Sequence, residues 1–418
     1  MSAQIPNLEK FGLSKSLGFL SDERPLESFT NSYFAAWDDI SGTLPQDIRS
    51  HEIGDKVRRL PILDGTKLVT ELQYRRAYVA LAFIIHGYTW AGSADGKPLG
   101  EIPPQLADPF LHVCDHLGLQ PVLSYAGLCL WNWAAIGGSG SASGGFPDLG
   151  QMKSMATFTG TRGEDAFYHV PVLIEAEGGP LVSLLLNAVA AADDSNDAFV
   201  IKALNESAET LARMGAHLPK MYPVLDAQHF YHTIRPYFGA GVGNEDKGLP
   251  RGVVFQRSNG IEEEVKCIAG TAGQSAFFQF LDLVLGVEHK KPEDAKETFF
   301  QEMRAYMPRQ HRDFLNLVSK LTSLRVFVSN NKQNQVLVDV YDNCLKQLRL
   351  WRGKHIAVVS KYIVQPARQA AEMAENGTST NGVHDAKDED LRGTGGSALI
   401  PFLRQTKDET LGSGGSTS

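Results

Sequence analysis

The chain has little cysteine. Cys114, Cys129, Cys267 and Cys344 are its only four in 418 residues, and no two are neighbours. That spacing excludes a CxxC motif and a disulfide framework, and it fits a reducing compartment. Long apolar runs are also missing. The longest, Ala77–Ile85 and Pro180–Ala192, fall short of the roughly 20 residues that a membrane-spanning helix needs. The first residues, MSAQIPNLEKFGLSKS, have neither the apolar centre nor the small-residue cleavage site of a signal peptide. A cytoplasmic protein without a membrane partner is expected. No excess of positive charge exists either. The formal net charge is −8, so a broad basic surface for nucleic acid is excluded. GxSxG, HExxH and Walker strings are absent, which removes the familiar hydrolase, zinc-peptidase and nucleotide-binding readings.

What is present is apolar material, 43% of residues against 21% charged, enough for a large core without disulfide or metal staples. Most of it recurs at helical spacing. One segment, Leu68–Ile85 (LVTELQYRRAYVALAFII), predicts a helix with Arg75 and Arg76 on its outer face. Further helices are expected over 181–192, 196–215, 226–238, 274–286, 294–305, 309–323 and 335–372. The stretch 154–175 is ambiguous, strand or loop, and 244–260 reads as a loop. The expected class is mainly α. A small N-terminal α or α/β domain (1–136) precedes a Gly/Ser-rich linker (137–150) containing GGSGSASGG. A large helical domain (151–418) follows. Within it, the polar, Gly-rich residues 374–398 have the composition of a mobile loop. Apolar residues resume at Leu399, so a lid tied at its far end is expected.

Twelve histidines are the raw material for metal or acid–base chemistry. His112 and His116 lie four apart, the spacing of a zinc pair or of an ordinary polar helix face. His229 and His232 suit a pocket edge or the surface. His355 falls on the apolar stripe Leu348, Trp351, Val359, Tyr362. It is either a satisfied core histidine or a neutral imidazole held for a haem iron. Arg352, three residues earlier on that side, needs an anion, which a haem propionate or an aspartate could supply. Gly270–Ser275 (GTAGQS) precedes a helix. Its small residues allow close approach to a flat cofactor, or simply cap the helix start.

Long strings then narrow the choice. MRAYMPRQHRDFL (303–315), RGKHIAVVSKYIVQPA (352–367), GTAGQS running to DLVLG (282–286), GTGGSALIPFL (393–403) and PVLSYAGLCLWNW (121–133) resemble the indoleamine 2,3-dioxygenases, most of all their fungal members. The resemblance covers about residues 68 to 405. It implies a haem b enzyme with His355 as the proximal iron ligand and Arg352 on a propionate, paired with Asp282. Gly270, Thr271 and Ala272 would lie along the haem. It further implies Phe230 against the indole, Arg235 on the amino-acid carboxylate, Tyr125 in the distal pocket, Ser183 near bound oxygen and Thr394 in the lid. The implied reaction adds O2 across the indole C2–C3 bond of L-tryptophan to give N-formylkynurenine, in the kynurenine pathway toward NAD. An external reductant and a monomeric state are implied too. A related enzyme acting on another indole, or a non-catalytic haem sensor, would share the scaffold. One departure stands out: Gly178-Gly-Pro180 occupies the place ahead of LVSLL where aromatic residues are expected, which implies a wider distal pocket.

Overall fold

Thr70 starts a long helix because its hydroxyl accepts the Gln73 amide while the Gln73 side chain accepts the Thr70 amide. Two donors orphaned at the helix start are thereby satisfied together. In the computed structural model, which describes residues 5–93, 95–137, 146–239, 247–291, 296–376 and 399–412, helices of this kind make nearly the whole fold. The N-terminal part carries α1 (Ala35–Arg49), α2 (Ile53–Arg59), α3 (Glu71–Ala91), the short strand β1 (Glu101–Ile102) and α4 (Pro104–Leu117). Then come β2 (Ala134–Ala135) and β3 (Met152–Lys153), followed by α5 (Arg162–Gly178), α6 (Pro180–Asp193), α7 (Asp197–His217) and a single turn, α8 (Ala227–His229). After β4 (Val253–Gln256) and β5 (Glu262–Val265) lie α9 (Ala276–Leu285), α10 (Phe299–Met303), α11 (Arg309–Val318), α12 (Leu324–Asn330), α13 (Gln335–Val359), α14 (Gln365–Asn376) and α15 (Leu399–Leu411). The mainly α class is therefore observed.

The strands are small but informative. β1 pairs parallel with β4, Glu101 opposite Val254, and β4 pairs antiparallel with β5. Part of the segment expected as a loop over 244–260 is thus a strand. β2 and β3 pair antiparallel on either side of the Gly/Ser stretch. One contiguous apolar core contains side chains from α1 and α3 as well as α9 and α13.

Three sequence expectations change for physical reasons. Arg76 is not on an outer face. It is 4% exposed, and its guanidinium meets Asp38 at 2.7 Å and Ser41 Oγ at 3.1 Å. α3 is buried nearly all round, so its apolar pattern has no clear polar face to mark the outside. The ambiguous stretch 154–175 contains most of α5, capped by Thr161 accepting the Glu164 amide. Its residues from Ala166 to Glu175 are buried on several faces and Pro171 interrupts it, which hides the helical period. Residues 374–376, expected in the lid, are the last turn of α14, and 377–398 lie outside the described residues. Taken together, α5 and α6 are long and apolar enough to cross a membrane, yet 67% of their most apolar window is buried inside the molecule. Their composition is that of core helices.

The junction of α5 and α6 shows what Gly178-Gly-Pro180 does. A Cβ on Gly178 would stand 2.4 Å from the Phe277 ring, and one on Gly179 would stand 2.3 Å from the Leu17 backbone. The glycines let the N-terminal turn at 14–18 and α9 press on this junction; they do not widen a pocket. Gly179→Ala should therefore destabilise the fold by about 1–3 kcal/mol through overpacking. A urea midpoint equal to that of the parent would refute the close approach.

Candidate haem and substrate site

α13 packs along both α7 and α15. It begins at Asn334, whose side chain accepts the Leu337 amide, and it carries both His355 and Arg352. The His355 ring stacks on Trp351, centroids 5.6 Å apart and planes 12° apart. Trp351 in turn stacks on Phe278 at 4.0 Å. His355 is only half-buried by accessible surface, yet the protein around it pushes its pKa down to about 4. It is a neutral imidazole, and no hydrogen bond from its ring to another described residue is seen. A satisfied core histidine would have one. A neutral ring nitrogen on a rigid helix is the donor a haem iron requires. These residues fit the cofactor that the sequence implied.

Arg352 has its anion. Its Nη2 lies 2.6 and 2.7 Å from the two oxygens of Asp282, and its Nη1 donates to the Thr406 carbonyl and the Thr410 hydroxyl of α15. Asp282 Oδ2 also meets His289 Nε2 at 2.9 Å, and His289 Nδ1 meets Glu409 at 2.8 Å. Of the two anions open to Arg352 from sequence, the structure shows the aspartate. The pair ties α13 to α9 and α15 beside the His355 turn. Burial alone would raise the Asp282 carboxyl, but the Arg352 charge and the His289 and Arg352 hydrogen bonds outweigh it and hold the pKa low.

Three π-helical turns occur among the described residues, at Ala126–Leu130, Phe230–Ile234 and Ser360–Val364. Such turns are frequent at functional sites, and here the first two adjoin or contain an implied site residue. Tyr125 precedes the first. Phe230 opens the second, and the Arg235 amide donates to the Phe230 carbonyl across it. That i to i+5 closure sets Arg235 one turn from Phe230, an alignment a regular helix over 226–238 would not give. The third continues α13 past His355, and its Tyr362 ring packs on Phe230 at 5.9 Å. Arg235 is half-buried, lies 5.3 Å from the Tyr231 ring, and has its pKa lowered by burial.

The other implied residues divide. Tyr125 is buried, and its hydroxyl donates to Glu175 Oε1 at 3.0 Å. Gly270 packs against the Tyr125 turn. A Cβ there would meet Leu128 at 2.3 Å, so its small size serves this contact. Thr271 is half-buried and Ala272 exposed. Ser183 is not brought to the cluster. It sits on α6 with its hydroxyl on the Lys15 carbonyl at 3.4 Å, because the LVSLL segment turns its buried face to the core through Leu181, Val182 and Leu185. Thr394 lies outside the described residues.

Sequence reasoning missed two residues of α5. Phe167 packs on Phe230 at 4.7 Å and on Phe238 at 5.5 Å, so the aromatic partner sought just before LVSLL lies on the preceding helix. Glu175, two helical turns further along, accepts the hydroxyls of Tyr125 and Ser275. A lone Glu inside the apolar run Val170–Ala176 was the available signal. Among the described residues no three His, Cys, Asp or Glu side chains gather as a protein-held metal would need. His116 stacks on Tyr74 at 3.5 Å and meets Glu71 at 3.2 Å, so the His112 and His116 pair behaves as a polar helix face.

Comparison with known proteins identifies the family. Residues 7–413 match the model of the family described as indoleamine 2,3-dioxygenase. The chain is 33% identical to the 6-hydroxytryptophan 2,3-dioxygenase of Fusarium equiseti, covering 98% of each chain, and 32% identical to the indoleamine 2,3-dioxygenase of Saccharomyces cerevisiae, covering 97% of this chain and 93% of the relative. It is also 31% identical to a myoglobin of Haliotis diversicolor, over 96% of this chain and 97% of that one. From one end to the other, the chain belongs to the indoleamine 2,3-dioxygenase family, haem dioxygenases of the indole-oxidising kind.

Proposed function

We propose that this protein oxidises L-tryptophan to N-formylkynurenine, with His355 holding the haem. The observation that carries the reading is the second π turn. It sets an aromatic ring, Phe230, and a half-buried guanidinium, Arg235, one turn apart beside Phe167. An indole bearing an α-amino acid presents the complementary pair, a flat apolar ring and a carboxylate. When bound, haem supplies the ferrous centre that activates O2 toward the electron-rich C2–C3 bond. The protein's own part is placement and exclusion of water. Phe230 and Phe167 orient the ring by edge and face contacts. Arg235 grips the carboxylate through directional, charge-assisted hydrogen bonds. Trp351 and α13 hold the His355 ring in place. No general base is required by this chemistry, and the proposal assigns none. A monomer in the cytoplasm, served by an external reductant and feeding the kynurenine route to NAD, completes it.

The test is single-turnover and steady-state assay of the reduced protein with L-tryptophan and air, following the formylated product. Absence of product would end the proposal. Arg235→Ala should raise KM for L-tryptophan roughly 10- to 100-fold, the worth of a hydrogen bond to a charged group. It should leave tryptamine, which lacks the carboxylate, nearly unchanged. An equal effect on both substrates would remove Arg235 from the carboxylate site. Two relatives motivate competing readings. The Fusarium protein's name makes a ring-hydroxylated tryptophan the next substrate to assay. The name of the Haliotis relative, a myoglobin, makes oxygen binding without turnover the second reading, and reversible oxygenation with no product would favour it.

A further inference from the structure

Glu175 is 1% exposed, near the C-terminal end of α5. Its Oε1 accepts the Tyr125 hydroxyl at 3.0 Å and the Ser275 hydroxyl at 2.7 Å. Its Oε2 is sealed from solvent and has no hydrogen-bond partner among the described residues. The titratable groups facing it are Tyr125 and Cys129, from the first π turn and the residue before it; both have pKa values driven up by burial and by the neighbouring carboxylate. Ser275 faces it from the start of α9, and no cation among the described residues acts on it. An ionised carboxylate with one bare oxygen in such a place is costly. Protonation removes the charge and leaves only one unpaired O–H.

We propose that Glu175 is a proton-holding positioning residue on the Tyr125 side of the haem site. As the neutral acid it fixes the hydroxyls of Tyr125 and Ser275, and on losing its proton to solvent it sets a buried negative charge there that disfavours small anionic ligands. The inference rests on the haem reading above. Burial lifts this carboxyl to about 7 against the pull of the Ser275 and Tyr125 hydrogen bonds, so both forms are populated near neutral pH.

The probe is azide binding to the ferric holoprotein between about pH 5 and 9, together with infrared detection of the protonated carboxyl. Azide affinity should fall about tenfold more across neutrality in the parent than in Glu175→Gln, which cannot ionise. Ionisation of iron-bound water competes with azide in both proteins, so its midpoint is read from the ferric spectrum of each and divided out before the comparison. The carboxylic-acid carbonyl band should be present at low pH, titrate near neutrality and vanish in Glu175→Gln. Tyr125→Phe removes a bond that favours the anion, so it should move the midpoint upward; it also serves if the Gln variant does not fold. Superimposable azide profiles, or no titrating band, would overturn the proposal. If the parent failed to take up haem, the functional reading would fall instead, while the infrared band would still report the Glu175 proton.

Discussion

Replacing His355 with alanine should yield a folded protein without a Soret band. Alanine is the best helix former, and His355 sits inside a 25-residue helix capped at its start by Asn334. The ring makes no hydrogen bond to another described residue, so little besides the Trp351 stack is lost. Far-ultraviolet circular dichroism should therefore be unchanged while haem content falls to background. A satisfied core histidine predicts the reverse: lower stability with haem retained. Full haem content in His355→Ala would sink the assignment. Added imidazole should restore part of the absorption, since the substitution leaves room for the free ring. The low pKa sets a further expectation. A neutral imidazole, with a pKa of about 4, is ready to ligate across the neutral range, so haem uptake should not depend on pH between about 6 and 8.

The second large effect is expected at Asp282. Asp282→Asn leaves the Arg352 charge in a region where both side chains are less than a tenth exposed. Breaking one side of a buried pair costs about 3–5 kcal/mol, most of it the penalty of the charge left behind. Urea unfolding should show that loss, and Arg352→Leu combined with Asp282→Asn should recover much of it. A single-variant loss below about 1 kcal/mol would mean that water reaches the pair. The network also fixes a pH window. The Asp282 pKa is depressed in the fold, so its contribution is present above the ordinary carboxylate range and is lost as pH falls through the folded value. His289 is opposed by burial but raised overall by Asp282 and Glu409. Its contribution is full below the ordinary histidine value and is lost as pH rises through the folded one. Stability should thus decline on both sides of a mildly acidic optimum, and His289→Gln should remove the alkaline limb while softening the acid one, since His289 also helps depress Asp282.

His355, Arg352 and Asp282 were legible from sequence because each lies in a regular helix whose period assigns faces, and because long specific strings surround them. The Phe230 and Arg235 pairing was legible as residues but not as geometry. A π turn has no local signature in the sequence, and only the closed i to i+5 bond aligns the two. α5 was lost for a different reason. It is buried on many faces, so the polar stripe that would mark a helix is missing, and Phe167 and Glu175 went with it. Ser183 was misplaced by the same ambiguity, since two adjacent apolar helices offer similar strings and nothing local says which one faces the site.

By itself, then, the sequence determined the helical class and the family, and it named candidates for the iron ligand and for the substrate contacts, all carried by period and by motif. The tertiary structure alone decided how closely Asp282 meets Arg352, that Phe167 packs on Phe230, and that Tyr125 and Ser275 converge on a buried carboxyl. These are contacts between residues 70, 63, 50 and 100 positions apart. Long-range packing settles such contacts, because burial and charge are properties of the assembled neighbourhood and not of any stretch of chain.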